Sequence, residues 1–390
     1  MIKLTEGIFW IGVIDWNIRD FHGYLTRRGT TYNAYLIKDE KTVLIDTVKY
    51  NFKEELIKKI NEISNIEQID YIIINHVEKD HSSSLPYIIE KAKKAKIITS
   101  KKGEEGLIKH YGENLNIEVV KTGDQLNIGR KTLTFIEVPM LHWPDSMFTY
   151  IIEDEILIPN DAFGQHLATS ERFDDEVNES ILMEEAAKYY ANILMPFSDL
   201  ILRKIQELSN IKIKIIAPSH GIIWRSNPMK IISAYRKWSE GFSKNKAVIV
   251  YDTMWGSTEI MARTIAEGII NQKVEVKLFK LRDSDVTDIV TEILDTKAII
   301  VGSPTINNSM FPSVSSFMNY IIGLKPKGKI WAFFGSYGWG GGAVNQMMEM
   351  VKKNNFKIYG SLEIKYVPTI KEIQDCFNFG KNIANEIKGL

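Results

Sequence analysis

The run Asn75-His76-Val77-Glu78-Lys79-Asp80-His81 follows directly on the apolar segment Tyr71–Ile74. In extended backbone, residues two apart point to the same side, so His76, Glu78 and Asp80 are expected to converge at the end of a strand. Gathering two carboxylates and an imidazole in one buried place is costly unless a cation compensates them. A lone histidine is more often a satisfied structural residue. Three donors on alternate positions at a strand end have no routine packing role, and they predict a bound metal.

Three further strand ends supply donors. His142 follows the strand-like run Leu133–Met140 in His142-Trp143-Pro144-Asp145, Asp161 follows Ile156–Pro159, and His220 follows Ile213–Ala217. Taken singly, Asp161 reads equally well as a helix cap and His220 as a turn residue before Gly221. Fed to one edge together, six donors suit two ions. His76, Glu78 and His142 would hold one, Asp80 and His220 the other, with Asp161 bridging. His81 is close enough to compete, and its role as ligand or supporting group stays open. The single cysteine, Cys376, leaves no thiolate set for zinc, an iron–sulfur cluster or a rubredoxin-type iron, and no internal disulfide.

A second group of chemistry-bearing residues lies in the last third of the chain. Thr253-Met254-Trp255-Gly256-Ser257-Thr258 falls between a predicted strand and a predicted helix, where hydroxyls and backbone amides suit a phosphate monoester. An ordinary capped helix would use the same residues. There is no G-x-G-x-x-G, so a mononucleotide is favoured over a dinucleotide. Two more loops follow predicted strands. One carries Ser303, Pro304, Thr305, Ile306 and Asn307; the other carries Ser336, Tyr337, Gly338, Trp339, Gly340 and Gly341. Open sheets bind ligands at such carboxyl ends. Glycines admit a flat ring, and Tyr337 or Trp339 could stack on it or pack at the surface. One phosphate loop with two ring-flanking loops predicts flavin mononucleotide (FMN).

The elements that must position these residues divide near position 245. The first part mixes many short strands with few helices, which predicts two sheets flanked by helices. After the polar stretch Gly241–Lys246 the pattern becomes strict alternation, with strands at Ala247–Tyr251, Val274–Lys280, Ala298–Val301, Ile330–Phe334 and Lys357–Ile364. That predicts an α/β doubly wound sheet of five parallel strands. Domains of 1–245 and 246–390 are therefore expected, and 390 residues suffice for two cores. Lys plus Arg and Asp plus Glu stand at 49 each, which gives no support to nucleic-acid or membrane-surface binding. No apolar run approaches the ~20 residues that span a bilayer, and nothing near Met1 reads as a signal peptide. A cytoplasmic protein is expected.

The spacing of His76, Glu78, Asp80 and His81, then His142, Asp161 and His220, resembles the metallo-β-lactamase-like fold. In its hydrolases the second motif position is usually histidine and the metal commonly zinc. Glu78 stands there instead, and a harder, anionic donor favours iron. Together with Asn160-Asp161-Ala162-Phe163-Gly164-Gln165-His166 and Pro218-Ser219-His220-Gly221, this resembles the flavodiiron proteins, which join such a domain to a flavodoxin-like one in this order. The resemblance covers essentially the whole chain. It implies an N-terminal metallo-β-lactamase-like αβ/βα sandwich, two non-haem irons and FMN. It implies reduction of dioxygen to water, of nitric oxide to nitrous oxide, or of both. It also places His22 and Tyr189 near the open iron positions; for Tyr189, plain core packing fits nearly as well. His166 and His110 read as structural or exposed. Members of the family form head-to-tail dimers, so a homodimer or a dimer of dimers is expected. An external donor is expected too, either rubredoxin or a reduced deazaflavin coenzyme. The rival readings are a metallo-β-lactamase-type hydrolase with an accessory flavodoxin domain, and a flavin-only electron carrier.

Overall fold

The computed structural model describes residues 2–389, and by their contacts these form two compact units. The first comprises 1–190 and 197–236; the second comprises 191–196 and 237–390. The second unit therefore begins earlier than the polar stretch suggests, and it also takes in Ala191–Pro196 from far upstream.

The first unit holds a seven-stranded and a five-stranded sheet. Alternation along the strands assigns their faces. Tyr35, Ile37, Val43 and Ile45 turn toward Leu133, Phe135, Met147 and Ile151 of the smaller sheet, forming the core between the layers. Leu36 and Leu44, from the same two strands, turn the other way and pack with Leu56, Ile60, Leu85 and Leu107 of the covering helices. Strands Thr42–Ile45, Ile69–Ile73, Lys96–Thr99 and Ile117–Val119 are mutually parallel, so their carboxyl ends share one edge. In the smaller sheet Ile156–Ile158 and Ile215–Ile216 are likewise parallel. Parallel pairing thus brings the residues after Ile73 to one edge, and those after Ile158 and Ile216 to another.

One expectation is corrected here. The strand before the first motif ends at Ile73, and Lys79–Ser82 is a short helix. Asp80 therefore reaches the cluster through a helical turn, not through alternation in extended chain.

The second unit has the expected parallel sheet, in the order Glu275–Lys280, Lys246–Tyr251, Ala298–Ile306, Ile330–Tyr337 and Lys357–Lys365. Five helices cover it: Ser257–Asn271, Val286–Leu294, Pro312–Gly323, Ala343–Lys353 and Ile370–Lys388. Two strands run longer than expected. Ala298–Ile306 takes in Ser303, Pro304, Thr305 and Ile306, and Ile330–Tyr337 takes in Ser336 and Tyr337. Pro304 is tolerated because pairing to Lys246–Tyr251 stops at Gly302, so its missing N–H falls where that side of the strand is already an edge.

Candidate metal centre and cofactor loops

Asp161 lies at the middle of the cluster, buried, with its two carboxylate oxygens facing different histidine pairs. Oδ2 is 3.7 Å from His76 Nε2 and 3.3 Å from His142 Nε2. Oδ1 is 3.1 Å from His81 Nε2 and 3.3 Å from His220 Nε2. Glu78 closes the first half, 3.3 Å from His76 and 3.6 Å from His142. Asp80 closes the second, 3.3 Å from His81 and 3.1 Å from His220. Two donor groups result: His76, Glu78, His142 and Asp161, and then Asp80, His81 and His220, each with its donor atoms within 4.8 Å of one another. The sequence leaves the place of His81 open; the geometry sets it beside Asp80 and His220.

The chemistry of these groups fits metal ions. Both oxygens of Asp80, both ring nitrogens of His81 and Oδ2 of Asp161 are buried without a hydrogen bond, a costly state unless a cation takes them. The outer nitrogens of two histidines are already held. His76 Nδ1 meets Asp145 Oδ2 at 2.9 Å and His220 Nδ1 meets the Thr31 carbonyl at 2.7 Å, which leaves each Nε2 facing Asp161. Burial alone would lower the histidine pKa values, but the facing carboxylates outweigh it. They raise His76 and His81, and they raise His220 to about 10. The same imidazoles overcome burial at the acids, holding Asp80 at about 2 and Asp161 well below the usual carboxylate range.

Several residues around the centre carry no obvious motif. Asp145 also accepts the Val77 amide at 2.8 Å, so it fixes both the backbone and the ring of the first ligand. Its place three residues after His142 was the only sequence signal. Asp46, buried after Ile45, accepts the amide of Asn75 at 2.8 Å and its side-chain Nδ2 at 3.2 Å, and Asn160 Nδ2 at 3.4 Å. It thereby ties the loops that carry His76 and Asp161. Burial pushes its carboxyl up to about 6.

Of the expected supporting groups, Tyr189 is buried and donates to Asp161 Oδ1 at 3.0 Å, while His22 is exposed with Nε2 3.2 Å from Glu78 Oε1. His166 is fully buried, its Nδ1 2.8 Å from Thr30 Oγ1 and its ring 5.0 Å from that of His220. Burial and the neighbouring His220 hold it neutral, well below the usual range. His110 is exposed and, with His22, Tyr50, Lys79 and Trp143, lines a cavity of about 760 Å³ that reaches Glu78 and Asp80.

In the second unit the three expected cofactor loops meet at the carboxyl ends of adjacent strands. Gly256, at φ +93°, turns the first loop into helix Ser257–Asn271, and its amide donates to Thr253 Oγ1 at 3.1 Å. The amides of Met254, Trp255, Ser257 and Thr258 donate to no backbone carbonyl among the described residues. The Thr258 and Ser336 hydroxyls are 2.8 Å apart and join two of the loops. Ser303 Oγ donates to the Pro304 carbonyl and accepts the Phe311 amide, each at 2.9 Å, and Thr305 Oγ1 accepts the Ala343 amide at 3.4 Å. Ile306 is half-buried and Asn307 turns the chain at φ +50°. Beyond half-buried Tyr337, Gly338 and Gly340 flank Trp339, which is 93% exposed, and Gly341 follows; Met254 and Trp255 are 44% and 96% exposed. The loops carry glycines and amide donors of the kind that a flat ring and a phosphate use.

Comparisons with known proteins identify the family. The family model described as ODP family beta lactamase matches residues 30–221, and the Flavodoxin model matches residues 249–380. The chain is 51% identical to the nitric oxide reductase of Moorella thermoacetica, over 99% of this chain and 98% of that protein. The rubredoxin oxygen:oxidoreductase of Desulfovibrio gigas superposes with a TM-score of 0.97 at 40% identity, covering 99% of this chain and 98% of that one. The flavodiiron protein of Giardia intestinalis gives a TM-score of 0.96 at 37% identity, covering 100% and 97%. A metallo-β-lactamase-like sandwich followed by a flavodoxin-like sheet defines a two-cofactor redox class, with FMN and a non-haem di-iron centre. The chain belongs to the flavodiiron proteins.

Proposed function

We propose that this protein reduces nitric oxide to nitrous oxide, dioxygen to water, or both, as a flavodiiron oxidoreductase. The observation that carries the reading is the division of Asp161 between two histidine pairs, beside a cavity that reaches Glu78 and Asp80, an arrangement that would suit two ions. His76, Glu78 and His142 would hold one iron and Asp80, His81 and His220 the other, with Asp161 shared. The irons would supply redox-active binding positions for a diatomic substrate, and FMN a reservoir that accepts electrons in pairs and passes them on singly.

The chain's own residues do the rest. Asp145 and the Thr31 carbonyl keep His76 and His220 in the ligating orientation. Tyr189 holds Asp161 Oδ1 by its hydroxyl. His22, over Glu78 at the cavity mouth, can donate a proton or a hydrogen bond to an arriving substrate. The Thr253–Thr258 loop would bind the FMN phosphate, and the Ser303–Asn307 and Ser336–Gly341 segments would flank the ring. Domains of 1–245 and 246–390 express the same division of labour.

The flavin loops and the metal cavity each leave aromatic surface uncovered. Trp255 and Trp339 are exposed on the flavin loops, and Tyr50 and Trp143 are exposed where they line the cavity. That supports a head-to-tail homodimer, or a dimer of dimers, in which one copy's flavin loops meet its partner's cavity. Electrons would come from an external donor, either rubredoxin or a reduced deazaflavin coenzyme, and the cytoplasm is the proposed site of action. Among the described residues no helix is long and apolar enough to cross a membrane.

The test is metal and flavin analysis of the purified protein, then anaerobic reduction and stopped-flow mixing with each gas. Two irons and one FMN per chain, with reoxidation by at least one gas, are expected. Zinc in place of iron, or no reoxidation by either gas, would overturn the reading.

A further inference from the structure

Asp252 is fully buried directly after strand Lys246–Tyr251, at the root of the loop assigned to the FMN phosphate. A carboxylate there is unexpected, because its charge opposes that of the ligand. Three elements converge on it. Arg282, from the turn after Glu275–Lys280, donates to Asp252 Oδ1 through Nε and Nη2, each at 2.8 Å. Ser313, in the first turn of Pro312–Gly323, donates to Oδ2 at 2.5 Å, and the Thr253 amide donates to Oδ1 at 2.7 Å. Arg282 Nη2 also donates to the Thr253 carbonyl. Its guanidinium carbon lies 5.3 Å from the centre of the Phe311 ring.

Both polar ends of residue 253 are therefore occupied from behind the loop: Asp252 takes the amide and Arg282 the carbonyl. The Thr253 hydroxyl takes the Gly256 amide, so the turn is closed before any ligand arrives. What remains unused is the set of amides at Met254, Trp255, Ser257 and Thr258. Preformed donors bind an anion without a further ordering cost. The planar fork of arginine serves the carboxylate and the carbonyl together; a lysine ammonium is a point charge and cannot reproduce that fork. Arg282 also neutralises a carboxylate at the root of the loop that would otherwise repel a phosphate dianion.

We infer that Arg282, through Asp252 and the Thr253 peptide, is a positioning residue that presets the phosphate loop and gives the protein its preference for the phosphorylated flavin. The inference rests on the assignment of Thr253–Thr258 as the phosphate loop and deepens it.

The test uses the full-length chain with flavin removed, titrated by fluorescence with FMN and, separately, with riboflavin, which lacks the phosphate. Arg282→Met should weaken FMN roughly 10- to 100-fold while riboflavin affinity stays near that of the wild type. Equal losses for both flavins would make Arg282 a support of the fold only, and no loss for either would also overturn the inference. Arg282→Lys, which keeps the charge but not the fork, should show an intermediate loss, again confined to FMN, and serves if the methionine variant does not fold. Ser257→Ala separates the two layers of reasoning. If it weakens FMN selectively while Arg282→Met does not, the loop assignment stands and the inference falls. If neither variant distinguishes FMN from riboflavin, the loop assignment itself falls.

Discussion

Asp161→Ala removes the one carboxylate that faces both histidine pairs, so it should cost the protein both irons, not one. Metal analysis after purification reads this directly, and a variant that retains two irons would contradict the shared role. Asp145→Ala leaves every ligand in place but frees the His76 ring and the Val77 amide. Loss of such an outer partner typically weakens metal binding ~10- to 100-fold, measurable by competition with a chelator. Cys376 is buried and its thiol is pushed up to about 12, so it should stay unmodified by thiol reagents at pH 8 until the chain unfolds. At this scale the gathering of the donor residues was legible in the sequence, because His and carboxylate residues follow apolar strands where nothing about packing calls for them. Asp46 and Asp145 were not assigned a role. Their partners lie 29 and 69 positions away, and only the pairing of the sheets brings them together.

At the scale of elements, helix Val286–Leu294 is closed by a lysine from another segment. Lys329 is buried and donates to the Leu294 carbonyl at 2.9 Å and the Thr296 carbonyl at 2.7 Å, groups that a helix end otherwise leaves orphaned. Burial lowers its pKa from 10.5 to about 7. Because this pKa is depressed in the folded state, the unfolded chain binds more protons between pH 7 and 10.5, and stability from this group rises with pH across that window. Denaturant unfolding at pH 7 and pH 9.5 should therefore show the wild type gaining on Lys329→Met as pH increases. A constant difference would overturn the assignment. In the first unit, Leu44→Ala should destabilise by about 2–5 kcal/mol, since Leu44 is fully buried against the covering helices. Strand existence and order in the second unit were readable from alternation. The carboxyl ends of Ala298–Ile306 and Ile330–Tyr337 were not, because Gly and Pro usually punctuate loops. Gly302 instead marks close packing within the sheet, since a Cβ there would meet the Phe334 ring at 2.1 Å.

For the whole molecule, activity that depends on a partner's flavin loops must depend on concentration. Serial dilution, with sedimentation at each step, should show specific activity falling as dimers dissociate; a fully active monomer would refute the head-to-tail arrangement. The order of the two domains was legible because the hydrophobic rhythm changes once, near residue 245. The actual membership of the units was not. Ala191–Pro196 sits among helices of the first half in sequence, yet its Asn192 donates to the Thr287 carbonyl at 3.1 Å and accepts from the Tyr320 hydroxyl at 2.9 Å. Such an exchange leaves no local signature.

That exchange determines how the protein comes apart. A protease that cuts once within Gly241–Lys246 severs the only covalent link between the long halves, but it leaves Ala191–Pro196 attached to the N-terminal fragment. The C-terminal fragment would then lack Ala191–Pro196 and also the residues from Lys237 to the cut, and Thr287 and Tyr320 would be bonded to Asn192 of the other fragment. A nicked molecule should accordingly migrate as one species on a native gel and as two only after denaturation.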